Sequence, residues 1–152
     1  MRLLILVDGL HTEEMLQSLS VLLRLSEAEL LLVFVRSAGP RAGLGLVRHR
    51  PGHRALPPAR ERDLAQAELQ GAEAALQEAE RLARPLAKSV SAHRLDADEA
   101  GRAVCDLAAR QNVDLVIVRA RGRDQPPGPR SLGPTARFIS DHCRCPVLLL
   151  RT

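Results

Sequence analysis

Residues 114–152, DLVIVRARGRDQPPGPRSLGPTARFISDHCRCPVLLLRT, decide the fold of this chain. The apolar run LVIV predicts a buried strand, and a loop with scattered glycines leads from it to Gly133-Pro134, a typical helix start. A short helical pattern and a last apolar strand, Val147–Leu150, follow. A strand that opens through a glycine loop onto a helix start can hold phosphate, because free backbone N–H groups and the helix dipole favour an anion there.

The rest of the chain continues this alternation of strand and helix patterns. Three more strands are expected at 3–7, 29–35 and 89–95, the last as an edge strand. Helical patterns begin near Thr12, Asp63 and Asp98, each a candidate N-cap, and Asn112 is expected to end the third helix. Five strands alternating with four helices predict an α/β fold with an open, doubly wound parallel sheet. We expect one domain over residues 1–152.

Residues 36–62 interrupt the pattern. They contain seven arginines, four glycines, four prolines and one acid, Glu61. This length exceeds that of ordinary connections, so we interpret the segment as a flexible insertion before a long second helix. A basic binding arm is the alternative interpretation.

Composition narrows the function classes. Apolar residues make up 45% of the 152 residues, but aromatic residues only 1%, namely Phe34 and Phe138. Because single-stranded nucleic acid is commonly gripped by stacking its bases on aromatic rings, nucleic acid is not an expected partner. The net charge of +4 comes almost wholly from arginine, and we interpret it as compositional bias.

The cysteines and the lengths of the apolar runs indicate where the protein is located and whether it binds a metal. Three cysteines, an odd number, with no apolar leader predict a reducing cytoplasm, and the apolar runs are too short to cross a bilayer. His142, Cys143 and Cys145 are poorly spaced for a metal site, so packing is expected, above all for Cys145. A redox role for Cys143 would require an exposed thiol.

Topology predicts where a site would lie. Ligands of doubly wound sheets bind outside the carboxyl ends of the strands, where the strand order reverses, and the first strand normally lies at that reversal. Asp8 stands at its end. If the fourth strand is its neighbour, Asp8 faces the loop that begins at Arg119. A carboxylate there can accept a base or ribose donor while N–H groups and arginines meet phosphates.

Four segments together resemble the universal stress protein family: LILVDG at 4–9, AELLLVFV at 28–35, NVDLVIV at 112–118 and CPVLLLR at 145–151. The resemblance covers nearly the entire chain, and its most specific part is the spacing of twelve residues from Gly133 to Cys145. It implies a universal stress protein-like fold, also described as adenine-nucleotide alpha-hydrolase-like, with strand order 3-2-1-4-5. Asp8 and Val35 match the two positions that contact adenine in family members that bind ATP.

The same resemblance implies a damaged phosphate loop. ATP-binding members carry a glycine, two residues, a second glycine, nine residues, and a third glycine followed by serine or threonine. Here Arg119 stands at the first glycine, Gly122 matches the second, and ten residues separate it from Gly133. Pro134 replaces the hydroxyl residue, and Thr135 comes one place late. The base end of the expected cleft is therefore better preserved than its phosphate end.

Arginines surround the altered loop and offer side-chain contacts where backbone amides are lost. Arg119, Arg121 and Arg123 are candidate anion contacts, with Arg130 beyond them. Solvated surface charges are the alternative interpretation. ATP or another adenine nucleotide is the expected ligand, bound weakly or in an altered way, and no metal site is expected.

The overall expectation is a non-enzymatic stress-response or regulatory protein. No hydrolase elbow, P-loop or zincin motif occurs in the sequence. The apolar terminal strand Val147–Leu150 would be an exposed template unless covered, and family members often dimerise through it, so a homodimer is expected. The alternatives are a protein-interaction module that has lost ATP binding, acting on an unknown protein partner, and a slow ATPase.

Overall fold

The computed structural model describes residues 1–36, 58–120 and 132–151. Within them, five strands alternate with four helices. In chain order these elements are β1 (Arg2–Leu6), α1 (Thr12–Leu22), β2 (Glu29–Arg36), α2 (Pro58–Ala83), β3 (Ser89–Asp96), α3 (Ala100–Arg110), β4 (Leu115–Arg119), α4 (Pro134–His142) and β5 (Val147–Leu150). A short 3₁₀ turn, Leu25–Glu27, precedes β2.

All five strands are parallel and lie in the order β3-β2-β1-β4-β5. The central strand β1 pairs with β2 and β4, so that Ile5 lies opposite Leu32 on one side and Ile117 on the other. The predicted fold class and strand order are confirmed.

Helices cover both faces of the sheet, which explains the unbroken apolar runs of the inner strands. In β1 the side chains of Leu3 and Ile5 point to one face and pack with Met15 of α1 and Ala79 of α2. Leu4 points to the other face, where α3 and α4 contribute to a second cluster. The molecule therefore has three layers, with α1 and α2 on one side and α3 and α4 on the other.

Three predicted helix caps are wrong. Thr12 is the first helical residue of α1 and is buried, and His11 is its N-cap. The N-cap of α3 is Glu99 rather than Asp98, and its side chain makes no capping hydrogen bond. Helix α2 begins at Pro58, five residues before Asp63, because proline suits a first helical turn and the residues that follow are good helix formers.

Two other predicted boundaries are confirmed. Asn112 follows α3 with a φ of 49°, the left-handed conformation that ends many helices. Gly133 is the N-cap of α4, and Pro134 is its first residue. The predicted insertion 36–62 is shorter in the structure, since Arg36 belongs to β2 and residues 58–62 belong to α2. Residues 37–57 lie outside the described residues.

The two sheet edges differ in character. Edge strand β3 (SVSAHRLD) is largely polar and mostly exposed or half-buried, as expected for an edge strand that faces water. Edge strand β5 consists of Val147 and three leucines, and Leu149 is 36% exposed. Of the two edge strands, only β5 is apolar.

Candidate functional site

A cleft of about 390 Å³ opens at the carboxyl ends of β1, β2 and β4 and reaches the first turn of α4. Its volume falls within the range of ordinary small-molecule sites. It lies between β1 and β4, where the chain continues into α1 on one face of the sheet and towards α4 on the other, the position at which doubly wound proteins bind ligands. The described residues that line it are Leu6, Val7, Asp8, Phe34, Val35, Ala100, Val118, Arg119, Leu132, Gly133, Pro134, Thr135 and Ala136.

Asp8 organises one end of the cleft. Its Oδ1 accepts hydrogen bonds from the backbone N–H groups of Leu10 and His11, at 3.0 and 2.9 Å. Its Oδ2 lies 3.0 Å from Nδ1 of His11 and 3.5 Å from a guanidinium nitrogen of Arg119. Through the two backbone contacts the carboxylate fixes the turn between β1 and α1, in which Gly9 has a φ of 79°.

The same contacts keep Asp8 ionised. Burial raises the pKa of Asp8, but hydrogen bonds from the backbone N–H groups of His11 and Leu10 and from the His11 ring lower it, and the net pKa lies below its ordinary value. An ionised carboxylate only accepts hydrogen bonds. Asp8 can therefore meet a donor such as an exocyclic amino group, but not a bare acceptor.

An apolar wall stands beside Asp8. Phe34 and Val35, near the end of β2, are half-buried, and Val7, directly after β1, and Val118 of β4 are buried; all four line the cleft. A flat apolar group could lie against this wall with its polar edge towards Asp8.

The other end of the cleft is the start of α4. Gly133 has φ 75° and ψ 161°, a conformation essentially restricted to glycine. The first intrahelical bond runs from the N–H of Arg137 to the carbonyl of Gly133. Since Pro134 has no N–H, the first turn offers the N–H groups of Thr135 and Ala136 to an anion, one fewer than a helix without proline.

Arg119 connects the two ends. It is the last residue of β4, its side chain is 21% exposed, and its guanidinium approaches Asp8 across the strand ends. The predicted neighbourhood of Asp8 and Arg119 is thereby confirmed. A cation at this point can turn either to the carboxylate or to an anionic group near α4.

The structure brings five predicted site residues into this one cleft: Asp8, Val35, Arg119, Gly133 and Thr135. The others, Arg121, Gly122 and Arg123, lie outside the described residues. What any of them binds stays a prediction at this point.

Two neighbours of Asp8 and Val35 were missed. His11 contacts the Asp8 carboxylate, and its position three residues after Asp8, at the start of a helical pattern, was the available signal. Phe34 lines the cleft beside Val35. No signal in the sequence distinguished it from an ordinary core residue.

The pairing of two cysteines was also missed. Cys105 of α3 and Cys143 after α4 form a disulfide, and Cys145 is a half-buried free thiol. Among the described residues, no group of three or more His, Cys, Asp or Glu side chains could hold a metal ion. None of the described helices is both long and apolar enough to pass through a membrane.

Comparisons with known proteins agree with this architecture. Structures similar to the chain include the universal stress protein UspA from Lactobacillus plantarum, with a TM-score of 0.70, 18% identity and coverage of 99% of this chain and 97% of the other. A universal stress protein family protein from Arabidopsis thaliana with AMP bound has a TM-score of 0.65 and 16% identity, over 99% and 90% of the two chains.

A third similar structure is the universal stress protein from Archaeoglobus fulgidus in complex with dAMP, with a TM-score of 0.61 and 17% identity over 98% and 96% of the two chains. The chain has no match among curated protein sequences. A profile of the Universal stress protein family matches residues 1–151. The chain therefore belongs to the universal stress protein family.

Proposed function

We propose that this chain is a non-enzymatic regulatory protein of stress responses that binds an adenine nucleotide in the cleft between Asp8 and α4. The observation that carries the proposal is the cleft itself, which places an ionised carboxylate and an apolar wall at one end and a helix N-terminus at the other. Two similar structures contain AMP and dAMP, which supports an adenine nucleotide as the ligand.

The base would lie at the Asp8 end. A carboxylate offers about four acceptor positions, and four donors already surround Asp8: two backbone N–H groups, the His11 ring and Arg119. The amino group of adenine therefore needs one donor to leave. Arg119 makes the longest of the four contacts, so it is the donor that a bound base would displace.

The phosphate would lie between Arg119 and α4. Once released from Asp8, the Arg119 guanidinium can pair with a phosphate oxygen while the N–H groups of Thr135 and Ala136 donate to the same group. Pro134 removes an N–H and a hydroxyl at the helix start. With these two donors missing, we expect the first phosphate to be bound tightly and any second or third phosphate weakly.

The absence of enzymatic activity is part of the proposal. A hydrolase needs a base within reach of an attacking water. Asp8 is the one carboxylate among the described cleft residues, and its low pKa and its hydrogen bonds make it a weak base. We expect bound ATP to be released unchanged.

A homodimer through β5 completes the proposal. The apolar edge of Val147–Leu150, with Leu149 36% exposed, would be shielded by the same strand of a second copy. Light scattering of the wild-type chain at micromolar concentration should give a dimer, and Leu149→Arg should give a monomer. A wild-type monomer would contradict this arrangement.

The test of ligand binding is a calorimetric titration with ATP, ADP and AMP in the presence of Mg²⁺, together with an assay of phosphate release. Binding without turnover is the expected result. Turnover would identify a slow ATPase instead. No heat of binding at millimolar ligand would overturn the proposal and favour a protein-interaction module of the same fold that has lost its ligand.

A further inference from the structure

The three cysteines of the chain pack against one face of the sheet. Cys105 lies in the middle of α3, Cys143 directly follows α4, and Cys145 precedes β5; all three are half-buried against the same apolar cluster. Cys105 and Cys143 are disulfide-bonded, with their Cα atoms 5.1 Å apart, whereas Cys145 is free. That Cα distance is within the ordinary range for a disulfide.

Close packing of α3 on α4 lies next to the two cysteines. One turn before Cys105, Gly101 faces Phe138, and a Cβ on Gly101 would lie 2.7, 2.8 and 2.9 Å from three atoms of the Phe138 side chain. Only glycine allows so close an approach of α3 to α4. Within α4, the His142 ring stacks on Phe138 with the ring centroids 4.0 Å apart, directly before Cys143. The close approach of Gly101 to Phe138 therefore holds α3 beside α4 through a contact that does not involve the cysteines.

We propose that Cys105 and Cys143, whose side chains are half-buried and therefore partly open to solvent, are a reversible oxidation site that locks α3 to α4, with Cys145 outside the reaction. The odd number of cysteines predicts a reducing compartment, in which disulfides are usually transient and redox-sensing. The first turns of both helices, at Ala100 and at Pro134–Ala136, line the cleft. Oxidation thus stiffens two walls of the cleft, whatever ligand the cleft binds.

A hydroperoxide is the oxidant. One thiolate attacks a peroxide oxygen, the O–O bond breaks, and the sulfur becomes a sulfenic acid while the other oxygen leaves as water or an alcohol. The second thiolate attacks the sulfenic sulfur, and hydroxide leaves and takes up a proton to form water. The two sulfurs lose two electrons to the peroxide. Excess low-molecular-weight thiol returns them by exchange through a mixed disulfide.

Tryptic mapping of the full chain tests the pairing. Reduced protein is treated with hydrogen peroxide, remaining thiols are blocked with iodoacetamide in denaturant, and trypsin then cleaves after Arg102, Arg137 and Arg144, which puts each cysteine on its own peptide. We expect peptide 103–110 to be linked to 138–144, with Cys145 alkylated. Absence of any link, a link that involves Cys145 or a link between two copies of the chain would overturn the proposal.

Reversibility is tested on the oxidised chain with excess reduced glutathione. The link should disappear, and all three cysteines should then be alkylated. A link that survives glutathione is a structural disulfide and contradicts the proposal.

Thermal unfolding measures the mechanical consequence. The cross-link joins residues 38 apart, so oxidation of the wild type should raise Tm by roughly 5–15 °C. Cys145→Ser should show the same rise, and Cys143→Ser should show none. Equal Tm values for oxidised and reduced wild type would mean that the bond locks nothing, and this comparison needs no variant to fold.

Discussion

The two ends of the cleft are built in different ways. At the Asp8 end, the carboxylate is held by two backbone N–H groups within 3.0 Å and by the His11 ring, so its position is fixed before any ligand arrives. At the α4 end, the helix starts without a side-chain cap, and Pro134 takes away one of its free N–H groups. One end is preorganised, and the other has lost donors.

The difference suggests which part of a nucleotide controls affinity. A preorganised acceptor gains affinity because little conformational entropy is lost on binding. A helix start with two N–H groups, helped by the Arg119 guanidinium, can hold a single phosphate but gains little from a second or third. We therefore expect affinity to come from the base and the first phosphate.

The largest effect is expected at the Asp8 end. Asp8→Asn replaces one of the carboxylate oxygens by an NH₂ group, which repels the amino group of adenine, and AMP affinity should fall roughly 10–100-fold. Calorimetric titration measures it. Asp106→Asn, an exposed change on α3, is the matched control and should bind AMP like the wild type. Equal affinities for Asp8→Asn and the control would remove Asp8 from the base site.

Restoring the α4 end should have the next largest effect. Pro134→Ser returns an N–H and a hydroxyl to the helix start, so ATP affinity should rise about 5–10-fold, while adenosine affinity stays unchanged. The matched control is Pro85→Ser in the turn after α2. A gain for adenosine as large as that for ATP would show that the substitution acts on the whole cleft and not on phosphate.

A change at Arg119 should alter the affinities for adenosine and for AMP in opposite directions. Arg119→Gln frees an acceptor position on Asp8 and removes a cation from the phosphate, so adenosine should bind about 3-fold tighter and AMP about 3-fold weaker. Competition binding with both ligands measures the pair of shifts. Arg110→Gln, on the exposed surface of α3, should change neither. A loss of affinity for both ligands would contradict the exchange of Arg119 between Asp8 and phosphate.

The smallest effect is on stability. The folded pKa of Asp8 lies below its ordinary value, so the ionised carboxylate stabilises the fold fully above about pH 4, and this contribution is lost as the pH falls through the folded pKa. Because Asp8 is partly exposed, solvent screens its contacts and the contribution is about 0.5–1 kcal/mol, or roughly 1–4 °C in Tm.

Thermal unfolding of wild type and Asp8→Asn from neutral to acidic pH measures this contribution. The wild type should be the more stable at neutral pH, and the two curves should converge in acid. A difference in Tm that stays constant down to the lowest pH at which the chain folds would exclude the carboxylate as its source.

Periodicity and turn chemistry predicted most of the fold. Inner strands are covered on both faces and therefore appear as unbroken apolar runs, and Asn112 and Gly133-Pro134 mark helix ends through conformations that few other residues adopt. The helix starts predicted at Thr12 and Asp98 are wrong, and neither helix has a side-chain cap. Whether a side chain caps a helix depends on how the chain enters it, and at α1 the neighbouring Asp8 already binds the turn.

The site was predicted in part. Strand order alone placed Asp8 near Arg119, because parallel strands end at the same edge of the sheet. The contact of His11 with Asp8 depends on a ring orientation that a sequence does not specify. Cys105 and Cys143 are 38 residues apart in the sequence. Their pairing depends on the close approach of α3 to α4 at Gly101. Such contacts follow from packing and not from local pattern.

The most direct test is to compare the dissociation constants of AMP and Mg²⁺–ATP for the unmodified chain by calorimetry. If the Asp8 end and the first phosphate supply the affinity, both nucleotides should bind, and the two constants should agree within about 3-fold, less than 1 kcal/mol. ATP that binds more than about 10-fold tighter than AMP would mean that the α4 end holds the terminal phosphates after all. That result would contradict the central claim.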